Sequence, residues 1–198
     1  MSSSPLLIVI SGPSGVGKDT VIAEMKKRRS NIHHTVTCTT RPIRAGEADG
    51  VDYKFLSTEQ FNQMAKEGGF LEWAEVYGNL YGTPKAQIRQ ALKEGRDVIA
   101  KIDVQGALNM KKIVPDALYI WIGAPSMKKL DERLRKRKTD TAKDIELRIE
   151  TAHREMESVN VFDYVVVNED GHSGEAANQI LNIIAMEKNK AIPRHISL

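Results

Sequence analysis

The apolar run 6–10 (Leu6, Leu7, Ile8, Val9, Ile10) leads into Gly12-Pro13-Ser14-Gly15-Val16-Gly17-Lys18-Asp19, and this junction restricts the chain to few folds. A short apolar run bounded by turn residues reads as a buried strand. Residues 12–19 fit the phosphate-binding loop, G-x-x-x-x-G-K and then Ser or Thr, at every position but the last. Glycines at this spacing let backbone N–H groups turn inward around phosphate oxygens. Lys18 adds a mobile positive charge, and the helix that begins there adds the positive end of its dipole. A plain Gly-rich turn would account for the glycines alone. The strand before them and the helical continuation after Gly-Lys favour a nucleotide. Gly12, Pro13, Ser14, Gly15, Val16, Gly17, Lys18, Asp19 and Thr20 are therefore the expected cradle of a nucleoside triphosphate. The usual Ser or Thr that ligates magnesium is Asp19 here, with Thr20 next. Asp19 could hold Mg2+ through water, but capping of the helix start is the favoured reading. Mg2+ is then expected on the nucleotide phosphates and water, with no dedicated protein site.

Behind the loop, strands and helices alternate. Strands are expected at 6–10, 35–38, 97–102, 117–122 and 161–167. Helices are expected at 18–28, 104–112 and 173–188, the last with Ala176, Ala177, Ile180, Ile183 and Ile184 on one face. Such alternation gives an α/β fold, a parallel sheet with helices on both faces. Two segments interrupt it. Residues 39–93 open with a loop rich in Arg, Gly and Asp, then mix short strands with a helix at 58–66 whose Phe61, Met64 and Ala65 face inward. Pro84 is expected in the first turn of another helix. Residues 126–154 read as two charged helices around Lys138-Thr139-Asp140. No repeat or low-complexity linker separates these segments. They read as a substrate-binding insertion and a lid within one unit, 6–188, whose core is 6–38, 94–125 and 155–188.

A length of 198 residues suits one domain with a sizeable core. Hydrophobic content of 41% and charged content of 28% are those of a soluble globular protein. No stretch approaches the roughly 18 apolar residues of a membrane span, and the start, Met1-Ser2-Ser3-Ser4-Pro5, reads as a short disordered tail and not a secretory signal. The single cysteine, Cys38, excludes an internal disulfide and a Cys-rich metal site, which fits a reducing cytoplasm. A net charge of +3 demands no nucleic-acid partner, though a cationic site for phosphates would account for it. The five histidines have no metal-binding spacing, and Trp73 and Trp121 in strand-like runs read as packing residues.

Arg41 and Arg44 lie three apart in a loop stiffened by Pro42, with Tyr53 and Tyr81 downstream. The planar guanidinium fork matches phosphate oxygens better than an ammonium does. Two solvated surface arginines are the commoner outcome, and the pair alone does not decide. The longer pattern does. T-T-R-P-I-R-A-G-E from Thr39, G-V-D-Y-K-F from Gly50, F-L-E-W-A-E-V-Y-G-N-L-Y-G-T from Phe70, I-D-V-Q-G from Ile102 and V-V-V-N from Val165 stand in order. In that order and spacing the chain resembles guanylate kinases from residue 6 to about 188.

The resemblance implies Mg-ATP-dependent phosphoryl transfer to GMP, and to dGMP, giving GDP and ADP in purine nucleotide metabolism. It implies a phosphate-loop kinase core, a mixed α/β GMP-binding insertion at 39–93 and a helical lid at 126–154. It implies the small-molecule partners GMP and ATP; charge, hydropathy and the lone cysteine add the expectation of no nucleic acid, no membrane and a cytoplasmic location, for a monomer or homodimer. Carried over residue by residue, Arg41, Arg44, Tyr53 and Tyr81 match the clamp on the GMP phosphate. Glu72, Thr83 and Thr37 match positions around the base. Guanine presents N1–H and N2–H₂ side by side, and a carboxylate accepts both. Asp103, at a strand end, matches an acidic residue that meets magnesium or substrate, although it would serve equally as a helix cap. Arg133, Arg137 and Arg148 match lid arginines, and Asn168 matches a contact to adenine. Three positions depart from the family pattern: Asp19, Lys138 and Lys101, the last standing where an acidic residue is usual. Lys101 and Asp103, two apart on a strand, should share a face towards the phosphates, with Lys101 free to pair with Asp103, reach a phosphate or run to solvent. An inactive peptide-binding relative and a kinase for another phosphorylated acceptor are the rival functions. The intact loop with Lys18 and the lid arginines speak against the first, and Glu72 with Thr83 against the second.

Overall fold

The computed structural model describes residues 4–136 and 142–198. Its elements are β1 (Leu7–Ser11), α1 (Lys18–Arg28), β2 (His33–His34), β3 (Cys38–Thr39), β4 (Lys54–Phe55), α2 (Thr58–Lys66), β5 (Phe70–Val76), β6 (Asn79–Pro84) and α3 (Lys85–Lys93). They continue as β7 (Val98–Lys101), α4 (Val104–Ile113), β8 (Leu118–Gly123), α5 (Met127–Arg135), α6 (Ala142–Met156), a 3₁₀ turn (Val159–Val161), β9 (Tyr164–Val167) and α7 (Ser173–Lys188).

Five strands form a parallel sheet in the order β2-β7-β1-β8-β9. β1 is central, which explains its uninterrupted apolar run: a strand covered on both faces has no polar side to show. Alternate residues enter different cores. Ile8 and Ile10 pack with Val21, Ile22 and Met25 of α1 and with Ile180 and Ile184 of α7. Leu7 and Val9 pack on the other face with Ile88 and Ala91 of α3 and with Ala107 and Met110 of α4. Each such Val, Leu, Ile or Met side chain, removed from water, contributes about 1.5–3 kcal/mol.

A second sheet, β4-β3-β6-β5, is built from the inserted segment. β5 and β6 form an antiparallel hairpin turned by Tyr77 and Gly78. α2 packs under it. Ser57 and Gln60 close its start as a capping box, and Phe61 stacks on Phe70 with centroids 4.5 Å apart.

The parallel core with flanking helices is as the sequence predicts, with local differences. The expected strand 35–38 is displaced: residues 35–37 are not strand, β2 precedes them at His33–His34, and Cys38 opens β3 of the second sheet. β2 pairs with β7, Thr35 still donates its N–H to the Ile99 carbonyl, and the chain then crosses to the second sheet as β3. β9 starts at Tyr164 because the residues before it close a 3₁₀ turn. Pro84 ends β6 and is the N-cap of α3, one position before the predicted one. Trp121 is fully buried, whereas Trp73 is half exposed at 49% and lies edge-on to Phe61. The tail 1–3 and the segment 137–141 fall outside the described residues.

Candidate active site

The carboxyl ends of β1 and β7 open onto a cleft of about 1100 Å³, with the second sheet on one side and α5 and α6 on another. Ligands bind at this edge in open α/β sheets. The residues between β1 and α1 form its floor. Gly12 has φ 140° and a Cβ there would collide with the Ile122 carbonyl, so the loop hugs β8 as glycine alone allows. Val16 is buried in the core and anchors the loop from below. Lys18 curls back and donates from Nζ to the carbonyls of Gly12 at 2.5 Å and Pro13 at 3.0 Å. Burial lowers its pKa, while Glu155, Asp19 and Asp103 pull the other way.

Glu72 comes from β5 and is 6% exposed. Its Oε1 accepts a 2.7 Å hydrogen bond from the Thr83 hydroxyl, and its Oε2 is buried with no hydrogen-bond partner. Burial above all, with Asp103 nearby, raises its carboxyl to about 8 against the Thr83 hydrogen bond. Gly106, in the first turn of α4, makes the room: a Cβ there would stand 2.6 Å from Glu72 Oε2. Asp103 caps the same helix, accepting from the Gly106 N–H at 2.9 Å. The cap reading therefore holds, and Asp103 also lines the cleft. Burial raises its pKa, and the Gly106 N–H and Lys18 oppose the rise.

The loop that follows β3 is organised by Glu47. Arg41 donates to both its carboxylate oxygens, at 2.7 and 3.0 Å, and to the Pro42 carbonyl at 2.6 Å, while the Arg44 N–H donates to Glu47 Oε2 at 2.8 Å. The Arg41 guanidinium lies 5.4 Å from the Tyr53 ring centroid, and Tyr53 meets Tyr81 edge-on at 6.1 Å. Thr37 and Arg44 line the same side.

One expectation is corrected here and one open alternative is decided. Asp19 is not the cap of α1. Gly17, with φ 87°, occupies the N-cap without a side-chain bond, and Asp19 sits in the first turn. Its carboxylate instead pairs with Lys101 Nζ at 2.5 Å, so Lys101 does not pair with Asp103, whose own carboxylate is engaged at the start of α4. Lys101 also lies 4.5 Å above the Tyr53 ring and does line the cleft.

From the opposite wall, Arg148 of α6 donates to Ser14 Oγ at 3.0 Å and stacks on Tyr77 at 4.6 Å. Arg133 passes beneath the loop to the Asn168 carbonyl at 2.8 Å and to Asp170. Asn168 donates from Nδ2 to the Val16 carbonyl at 2.7 Å and is 5% exposed, so it braces the loop from behind. Arg137 lies outside the described residues. The remaining predicted side chains converge on the one cleft, except Pro13, Val16, Thr83 and Asn168, which support it from behind its lining.

Glu47, Tyr77 and Glu155 also line the cleft and were missed from sequence. Glu155 Oε2 is buried without a hydrogen-bond partner, and burial raises that carboxyl to about 7 against the pull of Lys18. Each sits among similar residues with no periodic signal. Only the loop's fold brings Glu47 to Arg41, and only the placement of α6 brings Glu155 to Lys18.

Comparison with known proteins agrees with this geometry. The family model described as Guanylate kinase matches residues 4–186. The "Guanylate kinase" of Carboxydothermus hydrogenoformans is 43% identical over 93% of this chain and 90% of its own. The "Guanylate kinase 2, chloroplastic/mitochondrial" of Oryza sativa is 42% identical over 98% of this chain and 68% of its own. The crystal structure of guanylate kinase from Anaplasma phagocytophilum superposes with a TM-score of 0.80 at 32% identity, covering 96% of this chain and 89% of that one.

Proposed function

The chain belongs to the guanylate kinase family, whose members are ATP:GMP phosphotransferases, and on that premise we propose that this cleft carries the γ-phosphoryl group of ATP to GMP. The observation that carries the base assignment is Glu72. A buried carboxylate with one oxygen held by Thr83 and the other unpartnered suits guanine's adjacent N1–H and N2–H₂ donors. Adenine has no such pair. Arg41, Arg44, Tyr53 and Tyr81 then hold the GMP phosphate, and Thr37 lies by the base. The acceptor insertion is 39–93 and the lid 126–154. On this reading dGMP is accepted as well.

ATP lies with its phosphates on residues 12–20. The phosphate oxygen of GMP attacks the γ-phosphorus in line, the bond to the β–γ bridging oxygen breaks, and ADP leaves with that electron pair. No covalent enzyme intermediate is needed, so catalysis is positioning and charge neutralisation. Lys18 leaves its loop carbonyls for the β- and γ-phosphates. Arg148 approaches the transferring group from the lid, the family resemblance gives Arg137 the same role, and Arg133 and Asn168 brace the loop. Asp103 orients the acceptor. The donors near the loop fit magnesium: Asp103 and Glu155 are carboxylates facing Lys18, and the buried Glu155 Oε2 can accept from a metal-bound water. Magnesium on the phosphates would supply further charge neutralisation. A cytoplasmic location suits the free, buried Cys38.

A coupled assay with ATP and each nucleoside monophosphate tests the reading. GMP should be turned over far faster than AMP, CMP or UMP. Lys18→Ala should remove at least about a hundredfold of kcat with the fold intact. Equal rates for all acceptors, or unchanged turnover in Lys18→Ala, would contradict it.

A further inference from the structure

We propose that Tyr77 is a positioning residue for Arg148, an aromatic platform by which the acceptor hairpin aims the lid guanidinium at the phosphate site. The proposal rests on the phosphoryl-transfer role of Arg148.

The first observation is a backbone one. β5 ends at Val76 and β6 begins at Asn79, leaving a two-residue turn. Tyr77 has φ 51° and Gly78 φ 72°. Positive φ at both central positions is the type I′ pattern, which favours Asn-Gly. Tyr77 is the one non-glycine residue with positive φ among the described residues. A bulky aromatic there is strained, and strain held in place at a cleft is a reason to look for function.

The second observation is what the strained residue touches. The Arg148 guanidinium lies over the Tyr77 ring at 4.6 Å, while its NH1 donates to Ser14 Oγ in the phosphate loop at 3.0 Å. The arginine is therefore held between the acceptor hairpin and the triphosphate cradle. The ring thus meets α6 at the turn that carries Arg148. An arginine has many rotamers, and a flat partner removes most of them at a location set by the hairpin. The hairpin also carries Glu72 and Tyr81, so the element that receives the acceptor also orients the arginine.

The test compares Tyr77→Asn, Tyr77→Phe and Arg148→Ala, alone and combined, in steady-state assays with thermal melts. Asn removes the ring but accepts the left-handed backbone, so misfolding does not confound the result. Tyr77→Asn should lower kcat on the order of tenfold, leave KM for GMP and ATP within about twofold, and melt no lower than the wild type. Tyr77→Phe keeps the ring and should recover most of that kcat. In the Arg148→Ala background, Tyr77→Asn should cost little more. A full tenfold loss in that background, no rescue by Phe, or a fall in kcat that tracks a fall in Tm would each overturn the platform. So would unchanged kcat in Tyr77→Asn while Arg148→Ala is impaired, leaving the role of Arg148 intact. If Arg148→Ala itself keeps full turnover, both the platform and the assignment of Arg148 fail.

Discussion

If Glu72 reads guanine as proposed, its burial sets both selectivity and pH response. Its carboxyl sits near 8, so at neutral pH it is mostly protonated before the base arrives, whereas guanine's two donors require the ionised form. Binding GMP must then expel a proton at pH 7. Because the proton competes with the base below the pKa, affinity for GMP should rise from pH 6 to 8 and level off above. Calorimetry in buffers of different ionisation enthalpy would detect the released proton. Glu72→Gln should abolish the release and cut kcat/KM for GMP roughly ten- to a hundredfold, since one buried donor would face an amide hydrogen at about 1–3 kcal/mol. Proton release that persists in Glu72→Gln would assign it to another group, with Glu155 the first candidate. The sequence contained the residue and its chemistry. It could not contain the unpartnered Oε2, which depends on β5, β6 and α4 meeting. Lys101 makes the complementary point: its residue type and face were readable, but its partner, Asp19, is far away along the chain and was chosen by the sheet.

At the scale of elements, α4 is tuned to the site at some expense to itself. Glycine in a helix interior disfavours the helix by about 0.5–1 kcal/mol relative to alanine. Gly106 is retained where a Cβ would press on Glu72 Oε2 at 2.6 Å and Ile102 Cγ2 at 2.5 Å. Gly106→Ala should therefore not give the usual gain in stability. The displaced Glu72 should raise KM for GMP about tenfold, with KM for ATP little changed. A melt showing stabilisation with unaltered kinetics would mean the carboxylate has room to move. Helix extents were well read: α1 and α7 lie where the apolar pattern and the neighbouring loops place them, and α2 also starts at its capping box. Short strands were not. β2, β3 and β4 are two residues each and are defined by the neighbours they pair with, which no local pattern encodes.

Across the whole molecule, one buried carboxylate joins both ends of the core. Asp97, 4% exposed, accepts from the Leu6 N–H at 3.0 Å at the entry to β1 and from Lys188 Nζ at 2.7 and 2.8 Å at the close of α7. The core's first strand is thus tied to its last helix. The central place of β1 has a consequence for the order of events during synthesis. Leu7 pairs with Val98 and Ile8 with Leu118, so the strand that leaves the ribosome first waits for partners from the middle of the chain. At about 5–20 residues per second that wait lasts seconds, and closing such distant pairs is slow in itself. Meanwhile five bare apolar residues and an unformed phosphate loop stand open to chaperones. Nascent chains stalled before β8 should show no ATP-dependent protection of β1 in hydrogen exchange, and chains carrying α7 clear of the ribosome should show it fully. Protection of β1 in the shorter chains would mean that it finds shelter before its second partner, β8, exists. Otherwise the nucleotide is a late witness to folding, able to stabilise the chain only once nearly all of it has been made.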